Sequence, residues 1–364
     1  MARQPILAAL ALGIAIAINI APSSADEPWR PVAPEGLPAS FDWIRLKSDE
    51  WLKGEIISMY DDMLEFDSDE LGKLSFDFED IREIRTAHVV QVGFARRSPA
   101  IGQLTIDGDQ VRVVGERGES EFARNEILSL IIGRPKEINY WSAYAKLGGN
   151  IRSGNTSQVD YSGRFGAMRR TVRNRIAFDY LGNITRIDSE DTSNNHRATL
   201  GWDLFVSKKF YVNVVGAEWY RDPFQNIDHR WTLNSGLGYQ IINGNRATWT
   251  VDAGPAWQST TFVSVPDNDD EVSTSPAFRI GSRFDHELTD DIDIYVDLEA
   301  LFTDTKSGTY NHHVDTGIDL DLMGNLDFTL SWVWDRIEDP RPAEDGSVPK
   351  QDDYRIIVGL GWDF

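Results

Sequence analysis

Cysteine is absent from the 364-residue sequence. This absence excludes disulfide bonds, thiol catalysis, cysteine-based zinc sites and the modified cysteine of a lipoprotein anchor. Positive charge is scarce as well: 36 Lys and Arg stand against 58 Asp and Glu, which gives a formal net charge of −22. Because nucleic-acid binding needs a basic surface, the sequence predicts no nucleic-acid partner. No cofactor is predicted either.

Long apolar segments are missing after the first 25 residues. Residues 6–20 form an apolar run that follows Arg3 and precedes small residues at 23–25, a pattern typical of a cleaved export signal over residues 1–25. The run is shorter than the roughly 20 residues that a membrane-spanning helix needs, and an uncleaved anchor is the alternative. Since no later segment could cross a bilayer as a helix, a membrane location would require a closed sheet.

A small periplasmic β domain is predicted over residues 41–134, after a linker at residues 26–40. Its sequence holds a degenerate repeat with copies at residues 53–84 and 101–130, each with a glycine, alternating strands and an acidic turn. Such turns between period-2 segments indicate antiparallel β structure. The two units resemble tandem Sm-like or SH3-like half-barrels. The core of the first copy is expected to contain Phe76, Phe78, Ile81 and Ile84.

Residues 137–364 are predicted to form longer strands in which apolar and polar residues alternate. An apolar face opposite a polar face is the rule for a transmembrane barrel, which has lipid outside and a polar lumen inside. A soluble sandwich would alternate in the same way, but the export signal and an aromatic final strand favour the barrel. Counting turns predicts an all-β fold, an antiparallel transmembrane β-barrel of about 12 strands.

The order of short and long connections predicts the topology. Short turns follow the even strands and belong on the periplasmic side, together with the small domain and the chain end. The longer connections are residues 188–195, 221–227, 265–274, 304–309 and 338–353. The final strand is expected to carry the signal for the barrel-assembly machinery in Gly359, Trp362 and Phe364, although Ile357 stands where a polar residue is usual.

Charged residues at alternate positions of the later strands are predicted to line the lumen. These candidates are Asp293, Asp297, Glu299, Asp315, Asp319, Asp321, Asp327, Arg279, Arg283 and Arg355. If these charges pair with one another, they stabilise and close the lumen. If the acidic residues outnumber their partners, they form a pore that attracts cations. A barrel of this size can be narrow and filled by its own side chains, so both interpretations stay open.

Two further hypotheses concern the loops. A hydrolase site at the rim would use His229 and His312 with Asp222, Asp228 or Asp304, but geometry rather than presence makes a site and rim residues are ordinarily solvated. We therefore predict no enzyme. An acidic loop offers oxygen ligands for a weakly bound hard cation, but it lacks EF-hand spacing, which favours a solvated loop. Its acidic residues are Asp267, Asp269, Asp270 and Glu271.

Several motifs of the C-terminal part resemble one family. Trp141 followed by Gly154-Asn155-Thr156, then residues 218–225 (EWYRDPFQ), His229-Arg230 and residues 236–239 (GLGY), are similar to the opening and the centre of DUF481 proteins, often described as salt-induced outer membrane proteins. The resemblance covers roughly residues 137–364. It implies an outer-membrane barrel with a role in osmotic or ionic stress. It implies no established activity and no catalytic residues.

These observations predict a non-enzymatic outer-membrane protein, either a small channel or an envelope protein linked to salt or osmotic stress. The alternative is a structural or partner-binding envelope protein with a closed lumen, and an outer-membrane hydrolase is the third interpretation. The expected partners are outer-membrane lipid and the barrel-assembly machinery. Binding of the cell wall or of a periplasmic protein by the small domain is a hypothesis.

Overall fold

The computed structural model describes residues 40–95, 97–133, 136–152, 157–244, 246–289, 291–304, 308–323 and 325–363. The predicted export signal, all of the linker but its last residue, the Gly154-Asn155-Thr156 motif and Phe364 lie outside these residues. Within the described part of the chain, no helix has the length and apolar character needed to cross a membrane.

An N-terminal domain of ten strands occupies residues 42–132. Its strands are β1 Asp42–Leu46, β2 Trp51–Tyr60, β3 Met63–Ser68, β4 Gly72–Asp77, β5 Ile81–Arg85, β6 Val90–Phe94, β7 Ala100–Asp107, β8 Gln110–Gly115, β9 Gly118–Ala123 and β10 Ile127–Ile132. Short 3₁₀ helices, Phe78–Asp80 and Arg124–Glu126, precede β5 and β10. Strands β1 to β5 and β6 to β10 therefore repeat the same order of elements.

The two copies interlock in the N-terminal domain. Within a copy the first strand pairs with the second and the fifth, so β1 joins β2 and β5, and β6 joins β7 and β10. Between copies, β5 pairs with β7 and β10 pairs with β2, which closes a ring of six strands. One core holds buried residues of both copies, such as Phe66, Phe78 and Ile84 with Ile106 and Leu130. The two half-barrels expected from the repeat thus complete one another.

Twelve further antiparallel strands close into a second, larger barrel. They are β11 Trp141–Arg152, β12 Gln158–Arg170, β13 Asn174–Ile187, β14 Glu190–Phe205, β15 Phe210–Asp222, β16 Ile227–Asn243, β17 Ala247–Phe262, β18 Val272–Thr289, β19 Ile292–Phe302, β20 Tyr310–Met323, β21 Leu326–Ile337 and β22 Asp352–Asp363. This confirms the predicted all-β fold and its barrel of about 12 strands.

The barrel exposes apolar side chains on the outer face of every strand. On β22, for example, Ile356 is 73% exposed and Val358 is 51% exposed, whereas Gly359 and Gly361 on the opposite face are buried. Alternation of this kind puts apolar groups outside and polar groups inside a closed sheet. The outer surface is therefore suited to lipid rather than to water.

Short turns connect the strands at one end of the barrel, here called the turn end, and the longer loops lie at the other, the loop end. The predicted long connection at residues 188–195 is wrong: β13 and β14 continue to a turn of only Asp188 and Ser189, whose φ angles are 50° and 74°. Asp tolerates this left-handed backbone because its short side chain can bond locally. The polar sequence that predicts a loop here forms the beginning of strand β14 instead.

Candidate functional site

The inner face of the barrel gathers the charged residues predicted to line the lumen. They occupy alternate positions on β18 to β22, opposite the exposed apolar residues of the same strands. Asp315 and Asp327 are buried, while Asp293 and Asp321 are exposed near the turn end. Their neighbours on the inner face decide which of them are paired.

Tyrosine and glycine form pairs along this inner wall. Tyr144 lies opposite Gly166 in the ladder between β11 and β12, and Tyr295 lies opposite Gly317 between β19 and β20. A Cβ atom at Gly317 would stand 2.7 Å from the Tyr295 ring, so the ring lies flat over the glycine. A third pair of this type joins Tyr211 and Gly238. Folding the rings against the wall leaves space for longer charged side chains above them.

Basic residues between these tyrosines bind the predicted acidic residues. Lys146 Nζ lies 2.7 Å from Asp319 Oδ1 and 3.4 Å from Asp327 Oδ2. Arg164 Nη1 lies 2.7 Å from Asp315 Oδ2. Three of the predicted lumen carboxylates, those of Asp315, Asp319 and Asp327, are therefore ion-paired.

The other predicted arginines are paired too. Arg279 Nη2 lies 2.9 Å from Glu299, and the same guanidinium binds Asp252 on the neighbouring strand. Arg283 reaches Asp285 at 3.1 Å and Asp297 at 3.8 Å near the turn end. Arg279 thus bridges carboxylates of the two neighbouring strands, β17 and β19. Arg283 bridges a carboxylate of its own strand, β18, and one of β19.

Asp335 on β21 is the centre of the largest group. Its carboxylate contacts Arg355, accepts from Arg197 at 2.9 Å and lies 2.7 Å from His313 Nδ1. Arg197 belongs to β14, which is five steps away around the barrel through β13, β12, β11 and β22. Its other nitrogen binds Glu218. These ion pairs therefore cross the lumen and join nearly opposite walls.

Cavities remain on the turn-end side of this crossing. One of about 250 Å³ is lined by side chains such as Arg175, Asp203, Asn213 and Asn234. A second of about 400 Å³ opens near the turn end beside Tyr144, Arg246, His286, Glu287 and Asp293, and we call it the vestibule. Polar walls and volumes of this size hold water.

The connection between β21 and β22 covers the loop end. Arg341 lies 3.3 Å from Asp269 in the β17–β18 loop, and its guanidinium stands 4.9 Å from the ring centre of Phe262. Asn226, in the turn before β16, donates to the backbone oxygens of Arg341 and Pro342 at 3.3 and 3.4 Å. The connection thus reaches loops on the far side of the barrel and lies across its mouth.

The acidic loop takes part in this cover. Its candidate residues Asp267, Asp269, Asp270 and Glu271 are all exposed. Among the described residues, no group of three or more His, Asp or Glu side chains is arranged to hold a metal ion. Asp269 forms an ion pair with Arg341 instead.

The N-terminal domain meets the barrel at the turn end. Asp61 Oδ2 lies 2.6 Å from Arg170 Nη1, and Gln240 on the inner face of β16 donates to Asp61 Oδ1 at 3.0 Å. Burial alone would raise the pKa of Asp61, but the Arg170 guanidinium and the two hydrogen bonds lower it below 3.8. Burial raises the pKa of Tyr60 to about 12, so its hydroxyl is protonated and donates to the Arg170 backbone oxygen at 3.3 Å.

The histidines of the hydrolase hypothesis lie on the outer face of the barrel. His229 Nδ1 lies 3.0 Å from Asp228 Oδ2, and His229 Nε2 lies 3.1 Å from Thr261 Oγ1. His229 is on the same face of β16 as the exposed Trp231. His312 packs edge-on against Trp334 with 4.1 Å between ring centres. Asp222 points inward instead, and its carboxylate accepts a hydrogen bond from the Tyr220 hydroxyl at 3.1 Å. Asp304 lies in the β19–β20 loop.

The predicted assembly residues occupy both faces of the last strand. Gly359 is buried on the inner face beside the Leu147 backbone of β11, and Trp362 is 49% exposed on the outer face. Residues 360–363 pair with residues 144–147, which closes the barrel at the turn end.

Sequence reasoning missed most of the residues that cross the lumen. Arg197, Asp335, His313 and Arg164 stand at inner positions of alternating strands, so the same period-2 signal marks them. Glu218 is displaced by an irregularity in β15, where the register shifts between Asn213 and Gly216. What the sequence lacks is a signal for which inner residues meet across the barrel.

The model of the family "Protein of unknown function, DUF481" matches residues 145–364. No curated protein matches the chain. Among solved structures, the NanC porin has a TM-score of 0.39 and 8% identity, with 61% of this chain and all of that chain covered. The translocator domain of the autotransporter NalP from Neisseria meningitidis has a TM-score of 0.35 and 12% identity, with 62% and 88% covered.

An outer-membrane channel from Pseudomonas putida F1 also matches, with a TM-score of 0.32 and 13% identity over 62% of this chain and 94% of that chain. At such scores and identities, these structures share no more than a general barrel architecture with the chain.

Proposed function

Because the chain belongs to the DUF481 family, whose function is unknown, we propose a function from its own geometry. The protein is a non-enzymatic β-barrel of the Gram-negative outer membrane that passes small cations through a narrow lumen. In this proposal the turn end and the N-terminal domain face the periplasm, and the loop end faces the outside.

The membrane location is supported by the outer surface of the barrel. Apolar side chains are exposed on all twelve strands, and outward Trp and Tyr residues such as Trp231, Tyr239 and Trp362 accompany them. Amphipathic rings of this kind favour the boundary between lipid and water. An export signal and a strand for the barrel-assembly machinery belong to the same proposal, which makes outer-membrane lipid the immediate partner.

The observation that carries the channel proposal is a lumen filled with charge rather than with apolar side chains. Two polar cavities of about 400 and 250 Å³ share Arg164, Arg283 and Asp297 in their walls. An apolar barrel interior would dewet, whereas charged walls retain water and lower the cost of moving an ion through them. The cross-lumen ion pairs make this path narrow.

The vestibule explains the expected preference for cations. Asp293 stands opposite Glu287 on β18 and opposite Asp319 on β20, so three carboxylates follow one another across neighbouring strands. Asp319 is bound to Lys146 at 2.7 Å, while Asp293 is exposed. A row of like charge at a channel mouth concentrates cations and repels anions.

Planar-bilayer recording on the refolded full chain tests the proposal. We expect a small current in which cations are preferred, and a weaker preference in a protein that carries both Asp293→Asn and Glu287→Gln. Asp267→Asn with Asp270→Asn removes two exposed acids at the loop end and is the matched control, for which the preference should be unchanged. Current with no preference for cations in the unchanged protein would contradict the proposed selectivity.

A closed lumen is the second candidate function, because the Arg197–Asp335 pair joins nearly opposite walls. The protein would then be a structural or partner-binding component of the envelope. Arg197→Gln separates the two candidates: a current that appears or grows in this variant supports a channel that is narrow at rest. No current in the unchanged protein and none in this variant would favour the structural function.

A role in salt or osmotic stress is part of the channel proposal. Salt shortens the screening length from about 10 Å at 0.1 M to about 3 Å at 1 M, which weakens ion pairs that water reaches and affects buried pairs much less. High ionic strength would therefore loosen the exposed Arg283–Asp285 pair beside the vestibule more than the buried cross-lumen pairs. The absence of enzymatic activity is also proposed, with His229 and His312 on the outer face as support. Ester or peptide hydrolysis that disappears in a His229→Ala, His312→Ala double variant would contradict it.

A further inference from the structure

The N-terminal domain presents two equivalent turns, one in each copy of its repeat. The first is Asp61-Asp62 between β2 and β3, with φ angles of 53° and 62°. The second is Gly108-Asp109 between β7 and β8, with a φ of 58° at Gly108. A two-residue hairpin turn needs left-handed backbone, which Gly adopts without strain and Asp adopts at a small cost. The first turn thus accepts that cost twice.

The two carboxylates of the first turn both bind the barrel. Asp61 pairs with Arg170 at 2.6 Å and accepts from Gln240 at 3.0 Å, and Asp62 Oδ1 lies 2.5 Å from Lys208 Nζ. Arg170, Lys208 and Gln240 lie at or beside the β12–β13, β14–β15 and β16–β17 connections. The turn therefore bridges three successive connections of the turn end and reaches the inner face of β16.

The second turn stays within its own domain. Gly108 donates its backbone N–H to the Arg82 oxygen at 3.1 Å, and the Asp109 oxygen accepts from the Arg124 N–H at 3.1 Å. A Cβ atom at Gly108 would meet nothing within 4 Å. The domain thus supplies an internal control, a two-residue turn at the equivalent place of the repeat that lies in the open and has only one left-handed residue.

A further contact fixes the domain beside the first turn. Ser129 on β10 donates to the backbone oxygen of Val172 at 2.9 Å. A Cβ atom at Gly93 on β6 would stand 2.8 Å from the same oxygen, so only glycine fits there. Val172 itself is 6% exposed. The domain is seated on the barrel through both of its copies.

From this arrangement we infer that the Asp61-Asp62 turn is a plug, which covers the half of the turn-end mouth bordered by β12 to β17 and leaves ions the half beside the vestibule. The inference rests on the proposed function of the barrel as a channel. The wall of the open half includes the carboxylates of Glu287 and Asp293. The plug therefore narrows the mouth and directs cations past these carboxylates.

Asp61→Lys tests the plug, because it puts a cation against Arg170, and Asp109→Lys makes the same charge change in the second turn. We expect single-channel conductance to rise about twofold in Asp61→Lys, since six of the twelve strands border the covered half, and the preference for cations to fall. Asp109→Lys should behave as the unchanged protein. Equal currents in the two variants would overturn the plug.

A reversible crosslink provides the converse test. The chain has no cysteine, so Asp62→Cys with Lys208→Cys creates a unique pair for a short bis-thiosulfonate linker, which spans more than a disulfide can. We expect the linked protein to conduct as the unchanged protein does and the reduced protein to conduct more. Failure of the two sites to link in the folded protein would overturn the docked arrangement.

Labelling of a cysteine in the lumen keeps the two proposals separable. Asn213 lies in the wall of the inner cavity, so Asn213→Cys reports the access of a small cationic thiol reagent from the turn end. If no variant conducts, the channel proposal fails. The plug is supported separately if Asn213→Cys is labelled faster in the Asp61→Lys background than in the Asp109→Lys background. Equal labelling rates in the two backgrounds refute it.

Discussion

Replacement of Asp335 by Asn should destabilise the barrel more than any surface substitution of the same kind. The Asp335 side chain is 9% exposed and holds Arg197, Arg355 and His313 together across the lumen. Asn keeps the shape of the side chain and removes its charge. Two arginines that are 12% and 14% exposed then lose their shared carboxylate.

The expected loss follows from burial. Removing one partner of a buried ion pair costs about 3–5 kcal/mol, because the other charge stays desolvated. Arg197 keeps Glu218 and Arg355 keeps Asn195 as partners, so we place the loss at the lower end, about 3 kcal/mol. The exposed Arg186–Asp191 pair at 2.6 Å provides the control, and Asp191→Asn should lower the free energy of unfolding far less than Asp335→Asn does.

Urea unfolding of protein refolded into lipid vesicles measures both changes, with the fluorescence of the 12 tryptophans as the signal. The difference in unfolding free energy between the two variants is the decisive quantity. Equal losses in Asp335→Asn and Asp191→Asn would refute the argument, because the cross-lumen network would then contribute no more than a surface pair.

Two further predictions concern the turn end and the inner wall. Arg170 and Gln240 lower the pKa of Asp61. The contribution of Asp61 to docking is therefore present at neutral pH and is lost as the pH falls below 3.8 and through the lowered pKa. Hydrogen exchange of the β2 and β3 amides should become faster in that range, and unchanged protection would contradict this. Gly317→Ala places a Cβ atom 2.7 Å from the Tyr295 ring and should cost about 1–3 kcal/mol in urea unfolding. Gly201→Ala is the control, because a Cβ atom at Gly201 would meet its nearest neighbour, Asn213 Nδ2, only at 4.0 Å; it should leave the unfolding of the barrel nearly unchanged.

The barrel could be predicted from the sequence because its signal is local. Lipid outside and charge inside impose the same period of two on every strand, so the face of Asp293 or Arg279 follows from its own neighbours in the chain. The family resemblance rests on motifs in the same strands and is confirmed by the match over residues 145–364. The strand count follows from the same alternation and its turns.

The connection at residues 188–195 was mispredicted for a related reason. Residues 190–195 read EDTSNN, a composition that predicts a loop. In the structure these residues extend β14 beyond the apolar part of the barrel, where both faces are polar and alternation is lost. Ladder pairing with β13 keeps them extended.

Contacts across the lumen could not be predicted, because they depend on closure of the sheet. Arg197 and Asp335 are 138 residues apart and share no ladder. Their encounter is set by the strand number and by the tilt of the strands in the barrel, neither of which is encoded at any one position. The same limit applied to Asp61 and Gln240, which are 179 residues apart and belong to different barrels.

The internal repeat makes the difference between its two copies informative. A repeated domain with a ring of six strands has a two-residue turn at the same place in each copy, but only one of these turns enters the barrel mouth. The turn that meets the barrel is Asp61-Asp62, opposite Arg170 and Lys208, and the turn that does not is Gly108-Asp109. Gly is the residue with the lower conformational cost at such a turn, so Asp61, which stands where the other copy has Gly108, is explained by its pairing with Arg170 on the barrel. Where two copies of a fold diverge at one turn and only the costlier version is paired, the pairing accounts for the divergence.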